Sequence, residues 1–430
     1  MKKISSKKVR DSLTLACCSL LHSAPEARAE LLKDVQVDSA VLVYSESDGR
    51  VSLIEPVIKL KSELDEDEFL NVQLVLDTLT GASPNGAQIS TVAQTFTSPS
   101  GNNNYTIQPG DIPLDDTFHD TRVAISASLE KPLDRLRKNT YSAAFSTEYD
   151  FLSFSAGYTY TQDSQFKDTT YMAGASLTSD TIGPVGGAPI PFAAMQPSGT
   201  ASKLGDDSRS TIDLITGITK VLNKKTITQL NYSYSRSNGY HNDPYKVVSI
   251  VDGSTGLPTY NFNVNGDYLY ESRPDSRQRH IVYWKTAHHL TEDVINVAYR
   301  YYQDDWGISS HTVDFKYRYE LANQNFLQPH IRFYSQTGAD FYRHSLTDTE
   351  ALALPEYASA DLRLAEFTAF TVGLKYSHQL GPKEIISGRV EIMQQTGDSS
   401  PVDAIGVQTT QDLHPDLTAT ILQLSYSFIW

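Results

Sequence analysis

The sequence is poor in cysteine. Its two cysteines, Cys17 and Cys18, both stand in the first thirty residues, so the rest of the chain has no thiol for disulfides, thiolate metal sites, CxxC redox chemistry or a cysteine nucleophile. Long apolar runs are missing too. Beyond residue 30 nothing approaches the ~18 to 20 apolar residues that a membrane-spanning helix requires. Positive charge is the scarcer sign, with 36 Lys and Arg against 51 Asp and Glu and a formal charge of −15 over 430 residues. That balance argues against a nucleic-acid partner. No P-loop, HExxH or GxGxxG signature occurs.

What is present begins with a basic segment (Lys2, Lys3, Lys7, Lys8, Arg10), a short apolar stretch from Ser12 to Ala24, and Ala27-Arg28-Ala29. That order predicts a secretory signal peptide, residues 1–29, cleaved before Glu30. Pro25 and the small residues around it argue against a plain N-terminal helix. Cys17 and Cys18, following Leu15-Ala16, faintly resemble a lipoprotein box, but the apolar stretch before them is too short to insert well. Cleavage removes six basic and two acidic residues, leaving 30 against 49 and a charge of −19. With no cysteine left, the mature chain relies on non-covalent closure.

From Val35 onward the pattern has period two. Leu422, Leu424, Tyr426, Phe428 and Trp430 share one face of the last segment, and Gln423, Ser425 and Ser427 share the other. Leu152, Phe154, Ala156, Tyr158 and Tyr160 alternate in the same way, as do Val313, Phe315, Tyr317, Tyr319 and Leu321. About sixteen strands follow from this reading, to within roughly three residues at each end. They lie near 35–45, 50–60, 69–79, 120–130, 138–148, 151–162, 168–178 and 210–221. The second eight lie near 226–237, 277–288, 293–304, 309–320, 326–337, 366–379, 384–395 and 418–430. Every connection after an even-numbered strand is short, whereas the long ones, near 80–119, 179–209, 238–276, 338–365 and 396–417, follow odd-numbered strands. Antiparallel strands with two unlike ends produce that segregation.

Strands of about 11 residues, rising ~3.3 Å each and tilted near 45°, give a band about 25 Å tall, the height of an outer-membrane hydrocarbon layer. The polar faces carry Arg300, Asp314, Lys316, Arg318, Glu320, Arg332, Lys375, Arg389 and Glu391. A dry sandwich core would not tolerate so many charges, whereas a wet lumen does. The predicted fold class is therefore all-β, an antiparallel transmembrane β-barrel over residues 30–430 in the bacterial outer membrane, with its long loops extracellular. Six cations against three carboxylates make that lumenal arc net +3, which favours anionic solutes. Tyr299-Arg300-Tyr301-Tyr302 and Tyr232-Ser233-Tyr234 supply aromatic girdles at headgroup level. Tyr426, Phe428 and Trp430 resemble the terminal signal read by the barrel-assembly machinery, with Trp in place of the commoner final Phe.

Two stretches, Tyr44-Ser45-Glu46-Ser47-Asp48-Gly49-Arg50-Val51 leading to Glu55-Pro56, and Asp77-Thr78-Leu79-Thr80-Gly81-Ala82-Ser83-Pro84-Asn85-Gly86-Ala87, carry a family resemblance. So do Pro109-Gly110-Asp111 through Phe118-His119-Asp120-Thr121-Arg122, and Ser146-Thr147-Glu148-Tyr149-Asp150. Together they resemble a family of exported Gram-negative outer-membrane barrels catalogued as being of unknown function. The resemblance implies periplasmic redox or envelope-assembly proteins as partners and supplies no activity. Read as residues, Ser47-Asp48-Gly49-Arg50 and Ser83-Pro84-Asn85-Gly86 are turns that need no ligand. Gly81-Ala82-Ser83 is no nucleophile elbow, because the required G-x-S-x-G is absent and Pro84 removes an amide that an oxyanion hole would use.

Among chemical candidates, Asp111, Asp115, Asp116 and Asp120 offer hard oxygen donors for a Ca²⁺ site, against the plainer reading of a solvated acidic loop. His241 with Asp243, His344 with Asp340, and the pair His288-His289 are candidate hydrolase groups at a barrel rim, but sequence proximity alone carries little. The expectation is that the chain is no enzyme and works as a pore for small, anionic solutes. The alternative is a closed barrel acting as a scaffold for periplasmic partners.

Overall fold

The computed structural model describes residues 33–97, 104–195, 205–260 and 267–430. The signal-peptide segment 1–29 lies outside the described residues. Sixteen strands close into one antiparallel barrel. The first eight are β1 Lys33–Glu46, β2 Ser52–Asp65, β3 Glu68–Thr80, β4 His119–Pro132, β5 Arg137–Thr147, β6 Phe151–Asp163, β7 Thr169–Ile182 and β8 Asp207–Asn223. The rest are β9 Thr226–Gly239, β10 Ser276–His289, β11 Val294–Asp304, β12 Ser309–Glu320, β13 Phe326–Gln336, β14 Phe367–Gly381, β15 Glu384–Gly397 and β16 Leu417–Ile429. Each pairs with its sequence neighbours, and β1 closes on β16 with Val37 opposite Phe428 and Tyr44 opposite Ile421.

Alternation fixes the two faces. On β16, Leu422 and Leu424 are 48% and 56% exposed on the outside, while Gln423 and Ser425 line an interior cavity. On β14, Phe370, Val372 and Leu374 face out and Thr371 and Lys375 face in. A continuous apolar belt over a sheet with no open edge is what hydrocarbon demands of a spanning structure.

All sixteen segments read from the sequence become strands. The largest departures are at β2, which continues to Asp65, and β7, which continues to Ile182. There the apolar alternation fades while pairing goes on, because ladder hydrogen bonds need no apolar face. Connections after even-numbered strands span two to five residues, tightened by left-handed residues such as Asp67 (φ 59°) and Lys167 (φ 55°). At the opposite end the connections 47–51, 148–150 and 305–308 are short, and 81–118, 183–206, 240–275, 337–366 and 398–416 are long. Asp48 and Gly49, at φ 58° and 69°, make the expected hairpin turn.

The long connections do not trail into solvent. Val247–Val251 pairs antiparallel with Tyr268–Tyr270 and parallel with Leu346–Thr347. Phe96, Val247, Tyr268, Tyr270 and Met195 bury one another, and Val248, Leu346, Ala358 and Ala360 form a second dry cluster. The loop end of the barrel is thus a packed cap with its own core.

Candidate functional site: a cationic lumen beneath a loop cap

The inner wall from β10 to β15 carries a dense set of ionised side chains, cations in excess. Because β11 runs toward the cap and β12 away from it, Arg300 lies near the cap, and Lys316 and Arg318 lie successively closer to the short turns. Three cavities follow one another down this wall. The first, about 310 Å³, lies under the cap between Arg273, Arg277, Arg300, Tyr334 and Arg363. Arg300 and Tyr334 also line the second, about 670 Å³, with Lys285, Asp314, Lys316 and Arg332. Lys316, Gln328 and Glu391 are shared with the third, about 210 Å³, which adds His330, Lys375 and Arg389.

The carboxylates of this wall are already engaged. Asp314 accepts from Arg332 Nε at 2.9 Å and contacts His330 Nε2 at 2.8 Å, with Lys316 Nζ at 3.5 Å. Glu391 meets His330 Nδ1 at 2.8 Å and Arg389 at 3.5 Å. Arg318 pairs with Glu320 and lies 4.0 Å over the Phe326 ring. Among the described residues, Arg300 and Lys375 meet no carboxylate. Arg300 sits 5.4 Å from the Tyr302 ring centre, and Lys375 sits 5.7 Å from that of Phe326.

Seven of the nine charges expected in the lumen line these cavities: Arg300, Asp314, Lys316, Arg332, Lys375, Arg389 and Glu391. Arg318 and Glu320 follow on the same face of β12, nearer the turns. Lys285 and His330 belong to the site and were not singled out from sequence. The signal was there in their parity, since Val282 and Trp284 beside Lys285, and Ile331 and Phe333 beside His330, all face outward.

The cap is fastened by an ionic cluster of three carboxylates and three cations, in which Glu271, Asp361 and Lys246 are buried and Arg363 is exposed toward the cavity below. Arg273 bonds Glu271 at 2.7 Å and Asp361 at 2.8 Å. Arg363 bonds Asp361 at 2.6 Å and Asp243 at 2.5 Å. Lys246 Nζ donates to Ser83 Oγ and to the Pro84 carbonyl, each at 2.6 Å, tying in a third loop. Burial pushes the Lys246 ammonium below its ordinary pKa and the Glu271 carboxyl above its own.

The expected calcium ligands are not gathered. Asp111 and Asp116 are exposed, and Asp115 is buried with its carboxylate turned onto the amide and hydroxyl of Thr117, at 2.9 and 2.6 Å. Asp115 thereby closes its own turn. Asp120, on β4, instead approaches Glu148 and Asp150, the one group of three metal-capable side chains among the described residues. The hydrolase pairs do not form either. His241 is held by Ser237 Oγ and the Gly239 carbonyl, each at 2.8 Å, and His344 meets Asp403 at 3.1 Å. His288 bonds Thr226 and His289 the Leu290 carbonyl, at the end of β10 beside a short turn.

The family described as "Protein of unknown function (DUF3570)" matches residues 10–428 of this sequence. The chain belongs to that family. No curated protein matches it. Among solved structures it is similar to the ferric enterobactin receptor of Pseudomonas aeruginosa, at 8% identity and TM-score 0.41, covering 85% of this chain and 54% of the receptor. The chain thus spans about half the length of that receptor. A bacterial polysaccharide outer membrane secretin aligns at 8% identity and TM-score 0.45, over 92% of this chain and 98% of the other. The Pseudomonas putida toluene transporter TodX aligns at 10% identity and TM-score 0.38, over 96% and 93%.

The stretches that carry the family resemblance meet in space. Glu55, Asp77, Phe118, Asp120, Arg122, Glu148 and Asp150 line one hollow of about 390 Å³ at the cap end. Arg122 pairs with Asp77, and Tyr245 from the cap donates to Asp150. Burial, reinforced by Asp120, raises the Glu148 carboxyl to about 7. Gly86 touches the cap as well. A Cβ there would stand 2.4 Å from the Val247 carbonyl oxygen, and its φ of 95° is one that L side chains avoid. These family motifs build the joint between barrel and cap.

Proposed function

We propose that the protein is an outer-membrane conduit for small anionic solutes, closed at its loop end by the cap. The observation that carries this reading is the run of cations from Arg300 through Lys316 to Lys375 and Arg389 along three cavities that share lining residues. A wet channel walled by one sign of charge concentrates counter-ions and lowers their passage barrier. Residues Arg300 and Lys375, free of carboxylates among the described residues, keep that field from being cancelled locally.

A second reading, a closed barrel serving as scaffold for periplasmic partners, is favoured by the dryness of the cap, where Phe96, Val248 and Leu346 have no exposed surface. Planar-bilayer recording under a potassium chloride gradient separates the two. The conduit gives discrete openings with a reversal potential displaced toward chloride. A barrel that stays silent with the cap intact and with the cap latch broken overturns the conduit and leaves the scaffold.

A further inference from the structure

We propose that the turn-end cavity is a binding site for a dianionic tetrahedral oxyanion, inorganic phosphate or the phosphoryl group of a compact ester. This deepens the conduit reading and rests on it only for how the ligand arrives. Lys316, Lys375 and Arg389 converge on about 210 Å³, a volume suited to one small polyatomic anion. Among the described residues Glu391 is the one carboxylate in the lining, and His330 and Arg389 already occupy it. Lys375 has no carboxylate partner among the described residues, and Phe326 beneath it also carries Arg318. Like charges crowded on one wall repel at any plausible dielectric, and a dianion between them removes that repulsion.

The neutral part of the lining suits the same ligand. Gln328, Ser387, Gln423 and Ser425 supply amide and hydroxyl donors for oxygens that the cations leave unbonded. A monovalent halide offers one charge and one acceptor atom to these donors and cations. A phosphoryl oxyanion uses both.

The test is calorimetric titration of the full-length, detergent-solubilised barrel with sodium phosphate, against sodium chloride at matched ionic strength. Saturable phosphate binding that chloride does not reproduce is expected. Lys375→Gln weakens it about tenfold or more, Lys375→Arg retains most of it, and Lys167→Gln, in an exposed turn at the same end, leaves it unchanged. A heat-modifiability gel establishes that each variant is folded. Identical heats for phosphate and chloride, or unaltered phosphate affinity in folded Lys375→Gln, overturn the site. Sodium glycerol phosphate distinguishes sources: weaker binding than inorganic phosphate marks a free-anion site, and tighter binding a phosphoester site. Because calorimetry needs no current, a barrel that binds phosphate yet never conducts refutes the conduit and leaves the site standing.

Discussion

His330 and Glu391 stand two strands apart on the inner wall, yet their side chains hydrogen-bond at 2.8 Å across β14. The register makes this possible, because the residue between them is Gly373, paired with His330 on one side and Glu391 on the other. A Cβ at Gly373 would lie 2.4 Å from Glu391 Cγ. Gly373→Ala therefore displaces Glu391 and leaves Nδ1 of the buried His330 without its partner, at about 1–3 kcal/mol, while Nε2 keeps Asp314. The gel-shift temperature of the folded barrel should fall, and Gly373→Val should lower it further. An unchanged shift temperature would mean that the bridge does not brace the wall.

Lys246 ties the 240–275 loop to the 81–118 loop, so Lys246→Ala should loosen the cap without opening the barrel. Removing one partner of a buried ionic cluster costs about 3–5 kcal/mol, because the remaining charges lose their compensation. Limited proteolysis should cut within 240–275 while the heat-modifiable barrel persists. If the conduit reading holds, the same variant should show a higher open probability in bilayers.

Glu148 gives the cap joint a pH dependence. Its carboxyl is raised from 4.5 to about 7 in the fold, first by burial and then by Asp120. The native state therefore holds this proton more tightly than the unfolded chain does. Its contribution is fully present below pH 4.5 and is lost as pH rises through about 7. Hydrogen exchange in the 148–150 connection should accelerate between pH 5 and 8 after correction for intrinsic rates. Glu148→Gln should flatten that dependence, and an equal slope in both proteins would assign it to another group.

Removing Phe428 to Trp430 takes away the end of β16, where Phe428 pairs with Val37 and the Trp430 amide donates to the Val35 carbonyl at 2.9 Å. Folded barrel in the membrane fraction should fall severalfold. Wild-type levels in an envelope immunoblot would show that the seam closes without those residues.

Strands were legible because lipid and lumen impose opposite hydropathies on successive residues, as Leu422-Gln423-Leu424-Ser425 displays. Lumenal charges were legible for the same reason. The cap was not, since its order comes from contacts between loops far apart in sequence, such as Lys246 with Pro84 and Gln88 with the His344 carbonyl. Nor was the fate of the aspartates legible. Whether Asp115 caps a turn or ligates an ion depends on backbone direction, and Asp120 found Glu148 and Asp150 only because β4 pairs with β5, which leads into the connection that carries them. Periodicity reports the environment along one strand and is silent about which loops meet.

The seam between β1 and β16 carries a kinetic consequence. Each of the other fifteen strand pairs joins neighbours in sequence, whereas Val37 must find Phe428 across almost the whole chain. Loop-closure entropy for a segment of about 400 residues amounts to roughly 5 kcal/mol before any contact rewards it. Closure of that seam is therefore the late step of folding. Until it occurs the sheet has two unsatisfied borders, and the lifetime of that open-edged intermediate sets how long the chain is exposed to strand exchange with its own copies.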